Sequence, residues 1–386
     1  MKSFLQFLKR AYKYFRATKR VWRKPPQADL LIIDRGTASP LDEMFAHHNP
    51  HVLDIRGESV NMLALLRAVP KIHLGAVAYL EAYIDFVKPK LILSRTDNNH
   101  TLWQLKRRIN LGYQVALVQN GWRLTVGFAI PALLNSTSNC GDWEIDRLFA
   151  FGSAWSSQIP EHVKFCANAV GSSNANRFET KKKRVLGTIG FISSFRATVT
   201  KSQNYLDVSV HYKSLDKNVS ASKKKLLIIG NTKKIDNDWA EFDYYSQSFS
   251  KSPWTIQPRD KPLSSYECLE NVECVIVESS SLGYECLGMG MRVGFIAFRP
   301  QHRQDRRFGK PLEFGEKGPF WTNDPSEEEI GRILDYLLTV SDEQWERDSG
   351  WIRDQLMVHD YGNTKIRAYV ESVLADSLEN AKVTNI

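Results

Sequence analysis

The sequence predicts an α/β fold of two doubly wound, parallel-sheet domains facing a central cleft. Three observations predict it. Short runs rich in Val, Ile and Leu recur in two successive series, and they do not alternate apolar with polar. Helical stretches fall between them, so helices cover both faces of each sheet and its strands are apolar throughout. The third is length: 386 residues exceed one ordinary core and suit two.

The first series follows Pro25-Pro26. Strands are expected at Asp29–Arg35, His51–Gly57, Lys90–Arg95, Gln114–Gln119 and Arg147–Gly152, with helices at Ile72–Val87, stopped by Pro89, and at Thr101–Leu111. A polar, Ser- and Lys-rich region at 174–183 separates it from the second series. There the expected strands are Val185–Ile192, Lys225–Ile229, Trp254–Gln257, Cys274–Glu278 and Arg292–Phe298. Helices are expected at Trp239–Ser248, Leu263–Glu270 and Leu282–Met289, and then at Ser326–Leu338, Asp342–Leu356 and Lys365–Leu378. The implied units are a basic helix at 1–26, domains at 27–183 and 184–364, and a C-terminal helix and tail at 365–386. No repeat of 20–50 residues is visible, which excludes a solenoid.

The net charge of +9 is concentrated in one place. Residues 1–24 hold nine Lys and Arg and no acid, leaving 43 basic residues to balance 43 acidic ones elsewhere. On a helix, Phe4, Phe7, Leu8, Ala11, Phe15 and Trp22 share one side and most of the cations the other. Such a helix suits an anionic membrane surface, although it can also dock on the protein's own core. A nucleic-acid partner is not expected, since the apolar face would then have no role. No apolar run reaches the roughly 20 residues that span a bilayer, and charges interrupt the N-terminal apolar residues, so no secretory signal is expected. Five cysteines without a CxxC pair fit a reducing cytoplasm. The expected location is therefore cytoplasmic, peripheral on the inner face of the cytoplasmic membrane.

Ligands of open α/β sheets bind beyond the carboxyl ends of the strands. The strongest signal there is residues 275–298, VIVESSSLGYECLGMGMRVGFIAF. A strand runs into Ser279-Ser280-Ser281 and then a helix, whose free N–H groups, hydroxyls and dipole suit a phosphate. Glu285, one turn on, can accept from ribose hydroxyls. The alternative is that Ser281 caps the helix and Glu285 is an ordinary first-turn acid. In LILSRTDNNHTLWQLKRR (91–108), Asp97 and Asn98 follow a strand, Asp97 as candidate base or charge stabiliser; Asp97 or Asn99 can equally be an N-cap. In LVQNGWR (117–123), Gln119, Asn120 and Arg123 offer donors into the cleft. In GFISSFR (190–196), Ser193, Ser194 and Arg196 can grip a diphosphate or a carboxylate, joined by Arg259 and Lys261 of IQPRDK. A single surface Arg or Lys is more often simply solvated.

No GxGxxG or Walker loop occurs, so neither a dinucleotide dehydrogenase nor a P-loop kinase is supported. His47-His48 lacks a matching carboxylate cluster and there is no DxD triplet, so neither a metal nor a cofactor is expected.

The pieces TDNNHTLWQL (96–105), VALVQNGWR (115–123), LFAFGS (148–153), VGSSNANRF (170–178), GFISSFR (190–196), ESSSLGYECLGMGMRVGF (278–295) and PFWTNDPSEEEI (319–330) together resemble the bacterial surface carbohydrate (lipopolysaccharide and capsule) biosynthesis proteins. The resemblance implies a GT-B-like glycosyltransferase with two Rossmann-like domains, the first binding a glycan or lipid-linked glycan acceptor and the second a nucleotide-sugar donor, without a metal. It casts Asp97 and Asn98 as the cleft motif of the first domain and Ser279, Ser280, Ser281 and Glu285 as the donor motif of the second. IQPRDK departs from the expected KPHP-like strand end. A nucleotide-sugar epimerase of the same fold and a non-catalytic polysaccharide assembly protein are the competing readings.

Overall fold

A computed structural model describes residues 18–74, 76–108, 112–122, 143–157, 159, 163–180, 185–195, 204–234, 239–299, 308–310 and 312–383. In the first half, strands β1 (Lys19–Val21), β2 (Leu30–Ile33), β3 (His51–Leu53), β4 (Ser59–Asn61), β5 (Leu91–Ser94), β6 (Gln114–Val118), β7 (Glu144–Ala150) and β8 (Lys164–Ala169) are joined by helices that include α1 (Ala76–Val87) and α2 (His100–Arg108). Six of these strands form a sheet in the order β3-β2-β5-β6-β7-β8, parallel throughout. The second half holds β9 (Thr188–Ile192), α3 (Asn204–Ala221), β10 (Lys225–Ile229), α4 (Ala240–Ser246), β11 (Trp254–Gln257), α5 (Ser264–Leu269), β12 (Cys274–Val277), α6 (Ser281–Gly288), β13 (Val293–Ile296), β14 (Lys317–Gly318) and β15 (Trp321–Thr322). Its sheet runs β11-β10-β9-β12-β13-β15-β14, with only the last pair antiparallel. Helices α7 (Glu327–Thr339), α8 (Asp342–Leu356) and α9 (Thr364–Val383) complete the chain.

The first sheet shows why its strands are apolar throughout. Leu30, Ile32, Leu91, Leu93, Ala116 and Val118 face one cluster, which Ile366, Val370, Val373 and Leu374 of α9 complete. Leu31, Ile33, Ile92, Val115 and Leu117 face the other side and a second core. Every side chain of β2 is fully buried. Thus the last helix of the chain returns to cover the first domain's sheet.

Strand order locates the ligand crevices. In the first sheet the order reverses between β2 and β5; in the second it reverses between β9 and β12. These are the topological switch points, where diverging connections leave a gap at the carboxyl ends. Asp34, Arg95 and Thr96 lie at the first, and Ser193, Ser194 and Glu278 at the second.

Three expectations need correction. Lys19–Val21 is a strand paired in parallel with Ser59–Asn61, so the predicted basic helix does not extend to Lys24; residues 1–17 lie outside the described residues. The edge strand β8, KFCANA, escaped the pattern because an edge strand is mostly unburied and needs no apolar run. Helix α3 was also missed, although its buried Val208, Tyr212, Leu215 and Val219 are helically spaced.

Candidate active site at the facing strand ends

The carboxyl ends of the two sheets meet. From the first domain come Arg95 and Asp97 after β5, Asn120 and Trp122 after β6, and Ser172 after β8. From the second come Arg259 after β11, Tyr266 of α5, and Ser281, Tyr284 and Glu285 of α6. The indole of Trp122 is stacked on the ring of Tyr284 at 3.4 Å between centroids. The Trp122 N–H donates to Ser281 Oγ at 2.8 Å.

Glu285 is the buried centre of this contact. Ser172 Oγ donates to its Oε1 at 2.6 Å and Tyr266 OH to its Oε2 at 2.7 Å, one from each side. Burial pushes its carboxyl above the usual range, outweighing both hydrogen bonds and the nearby charges of Arg95 and Arg259. Arg95 is also buried, which lowers its affinity for the proton; Glu285, Tyr266 and Asp97 partly offset this. Its guanidinium donates to Ser39 O and to Asn120 Oδ1, at 3.2 Å for the latter, while its Nε finds no partner among the described residues.

Two glycines make the close approach possible. Gly171 precedes Ser172 at φ +75°, and a side chain there would strike the Val358 carbonyl. A Cβ on Gly283 would come within 2.5 Å of Val277, so glycine lets α6 start close against β12.

Asp97 is not the helix cap. Asn99 Oδ1 accepts from the Thr101 N–H at 3.0 Å and fills that role. Asp97 is buried, and its Oδ1 accepts from the Asn120 N–H at 3.1 Å, tying the β5 turn to the β6 turn. Asn98 is exposed beside it. At the switch point itself Asp34 is fully buried and receives Arg56, Thr96 and Thr37, with Thr96 Oγ1 at 2.6 Å. Burial opposes its charge, but those hydrogen bonds and the Arg56 cation prevail and hold the carboxyl below its usual range.

Several predicted contacts serve the scaffold. Gln119 is buried with Oε1 accepting from the Phe151 N–H and Nε2 donating to Gly121 O, so neither end of its amide faces the cleft. Ser193 donates to Glu241, which also accepts from the N–H groups of Asn231 and Thr232 and from Thr232 Oγ1. Glu241, at the start of α4, thereby ties two strand-end loops together. Ser194 donates to Glu278 at 2.8 Å, and Arg299 closes this group by donating to Ser194 O. Ser280, rather than Ser281, caps α6: its Oγ accepts from the Leu282 N–H. Ser279 and Ser280 are half-buried at that helix start. Arg259 is exposed, and its charge reaches Glu285. Arg123 and Arg196 lie outside the described residues.

The sequence reading missed Arg95, Ser172, Tyr266 and the pairing of Trp122 with Tyr284. Arg95 ends its strand and Ser172 sits in a Gly-Ser-Ser turn, a signal parallel to that of residues 279–281. The expectation that His47-His48 lacks a carboxylate is overturned, because α9 brings Glu371 to both rings. That cluster lies away from the cleft.

Residues 116–374 match a family described as "putative O-antigen biosynthesis protein". No curated protein sequence matches the chain. Among solved structures, the glycotransferase of kitacinnamycin aligns with TM-score 0.50 and 10% identity, covering 91% of this chain and 100% of that one. A variant of the wall teichoic acid polymerase TagF gives 0.52 at 11% identity, over 92% of this chain and 91% of that one. A UDP-N-acetylglucosamine 2-epimerase from Listeria monocytogenes, itself so described provisionally, gives 0.51 at 13% identity, with 89% and 87% covered. At such identities the likeness is one of fold: two Rossmann-like domains face to face, as the sequence predicts.

Proposed function

The chain belongs to the O-antigen biosynthesis family, and from that premise we propose that it transfers a sugar from a nucleotide-activated donor to a growing surface glycan. The observation that carries the reading is the convergence of both sheets' carboxyl ends on one interdomain seam, with Asp97 and Arg95 on one side and the start of α6 on the other. A group-transfer enzyme needs two substrates held against each other, and facing crevices on separate domains supply that.

In this reading the donor diphosphate lies at Ser279-Ser280 and the first N–H groups of α6, where a helix start favours an anion. Arg259 neutralises the departing phosphate, while Glu285, its oxygens held by Ser172 and Tyr266, braces the seam beside the donor. Ser193 and Ser194 support these loops from within. Asp97, held by the Asn120 N–H, faces the acceptor as base or as stabiliser of the developing sugar cation. Trp122 and Tyr284 close the seam against water. The excess of cations in residues 1–24 supports attachment to anionic lipid, and among the described residues no helix is long and apolar enough to cross a membrane.

A thermal-shift screen of the full chain with UDP-, GDP-, dTDP- and CMP-sugars tests the proposal. One nucleotide class should stabilise the protein, and transfer to glycan acceptor should follow with that donor. Interconversion of the donor sugar without acceptor would instead select an epimerase. A blank across the whole set would sink both enzymatic readings.

A further inference from the structure

Away from the cleft, Ala46–His48 forms a single 3-10 turn that ends at Asn49 in the left-handed region. The turn directs two consecutive imidazoles toward one carboxylate of α9. His47 Nε2 lies 3.0 Å from Glu371 Oε1, and His48 Nε2 lies 3.0 Å and 2.9 Å from Oε1 and Oε2. The two rings are 4.1 Å apart. The three ligand atoms fall within 4.8 Å of one another.

The three groups can share hydrogen bonds, and the same two imidazole nitrogens and carboxylate also make a donor set for a cation. A divalent ion satisfies all three groups. With bonds of about 2.0–2.2 Å, tetrahedral ligand atoms sit roughly 3.3–3.6 Å apart, so each imidazole nitrogen, now 2.9–3.0 Å from a carboxylate oxygen, needs to part from it by only a few tenths of an ångström. Neutral imidazole and carboxylate are the donors that zinc and its neighbours select. The side chains are accessible, His48 least at 24%. A pocket of about 370 Å³ lined by Asp29, His48, Asn49 and Lys88 opens beside His48 at the amino end of β2.

We propose that His47, His48 and Glu371 form a binding site for a divalent transition ion of the zinc type. The site is independent of the cleft chemistry. It joins residues 324 positions apart, pinning α9 to the domain whose sheet that helix covers. The ion acts as a clasp, because it binds only when α9 is docked and so stabilises the docked state by mass action.

Chelator-treated full-length protein is titrated with zinc chloride by calorimetry, with cobalt(II) absorption as a second readout. One equivalent should bind, with tetrahedral d–d bands and no thiolate charge-transfer band, and the thermal midpoint should rise at saturation. Glu371→Gln and the double variant His47→Ala, His48→Ala should weaken binding by about tenfold or more. Both should stay folded by circular dichroism, because the cluster is at the surface. Cys166→Ser removes an exposed thiol and should bind as the parent does. Absence of stoichiometric binding to the parent, undiminished binding in the histidine variant, or loss of binding in Cys166→Ser would overturn the proposal.

Discussion

The indole of Trp122 lies flat on the phenol ring of Tyr284, with planes 4° apart and centroids at 3.4 Å. One ring comes from the loop after β6 and the other from α6, so the stack joins the two domains across their seam. The neighbouring Trp155 meets Trp122 edge-on at 5.0 Å and holds its orientation from the first domain.

Trp122→Ala should therefore loosen the seam while leaving each domain folded. Loss of the stack and its buried area should cost about 1–2 kcal/mol. Small-angle scattering should show a larger radius of gyration for the variant. An unchanged radius would mean that the Glu285 contacts alone set the domain separation.

Asp97→Asn should abolish transfer while sparing donor affinity. Asparagine keeps an oxygen to accept from the Asn120 N–H, so the turn should hold. If Asp97 is the base, turnover should fall by about 10²–10⁴-fold. The assay is transfer alongside donor affinity on one preparation, and near-normal turnover would leave Asp97 as a brace between two turns.

Glu285→Gln should fold and remove a pH dependence. The parent carboxyl is raised by burial, so its contribution to stability is complete below its ordinary 4.5 and is lost as pH rises through the folded value. The parent's thermal midpoint should fall relative to the glutamine variant across that window. Glu285→Ala should instead cost about 2–4 kcal/mol, because the Ser172 and Tyr266 hydroxyls lose their buried acceptor. Parallel pH curves for parent and glutamine variant would show that Glu285 does not titrate there.

Asp34→Asn should behave in the opposite sense. The Asp34 carboxyl is lowered, so its stabilisation is complete above 3.8 and disappears as pH falls through the folded value. At neutral pH the variant should lose about 2–3 kcal/mol in chemical denaturation, since Arg56 and two threonines lose a charged partner. The gap should close under acid conditions. A gap that persists unchanged there would assign the loss to packing.

Local pattern determined much of this protein. The runs LLII, LILS and CVIV became buried parallel strands because both sheet faces are covered and their side chains are apolar but for Ser94, whose hydroxyl donates to Ile33 O. Strand followed by polar turn and helix was enough to put Asp97 and Ser279 to Glu285 just past strand ends, because strand-end loops must satisfy their backbone groups with polar residues. What such a pattern cannot contain is distance between strangers in the chain. That Ser172 and Tyr266 share Glu285, that Gln119 is spent on the Phe151 N–H, and that Glu371 reaches His47 and His48 were decided by packing. A hydrogen bond is set by positions in space to within tenths of an ångström, and those positions exist only after two sheets and the returning helix α9 have docked. Which serine meets Trp122 was settled in the same way, by where the opposing domain came to rest.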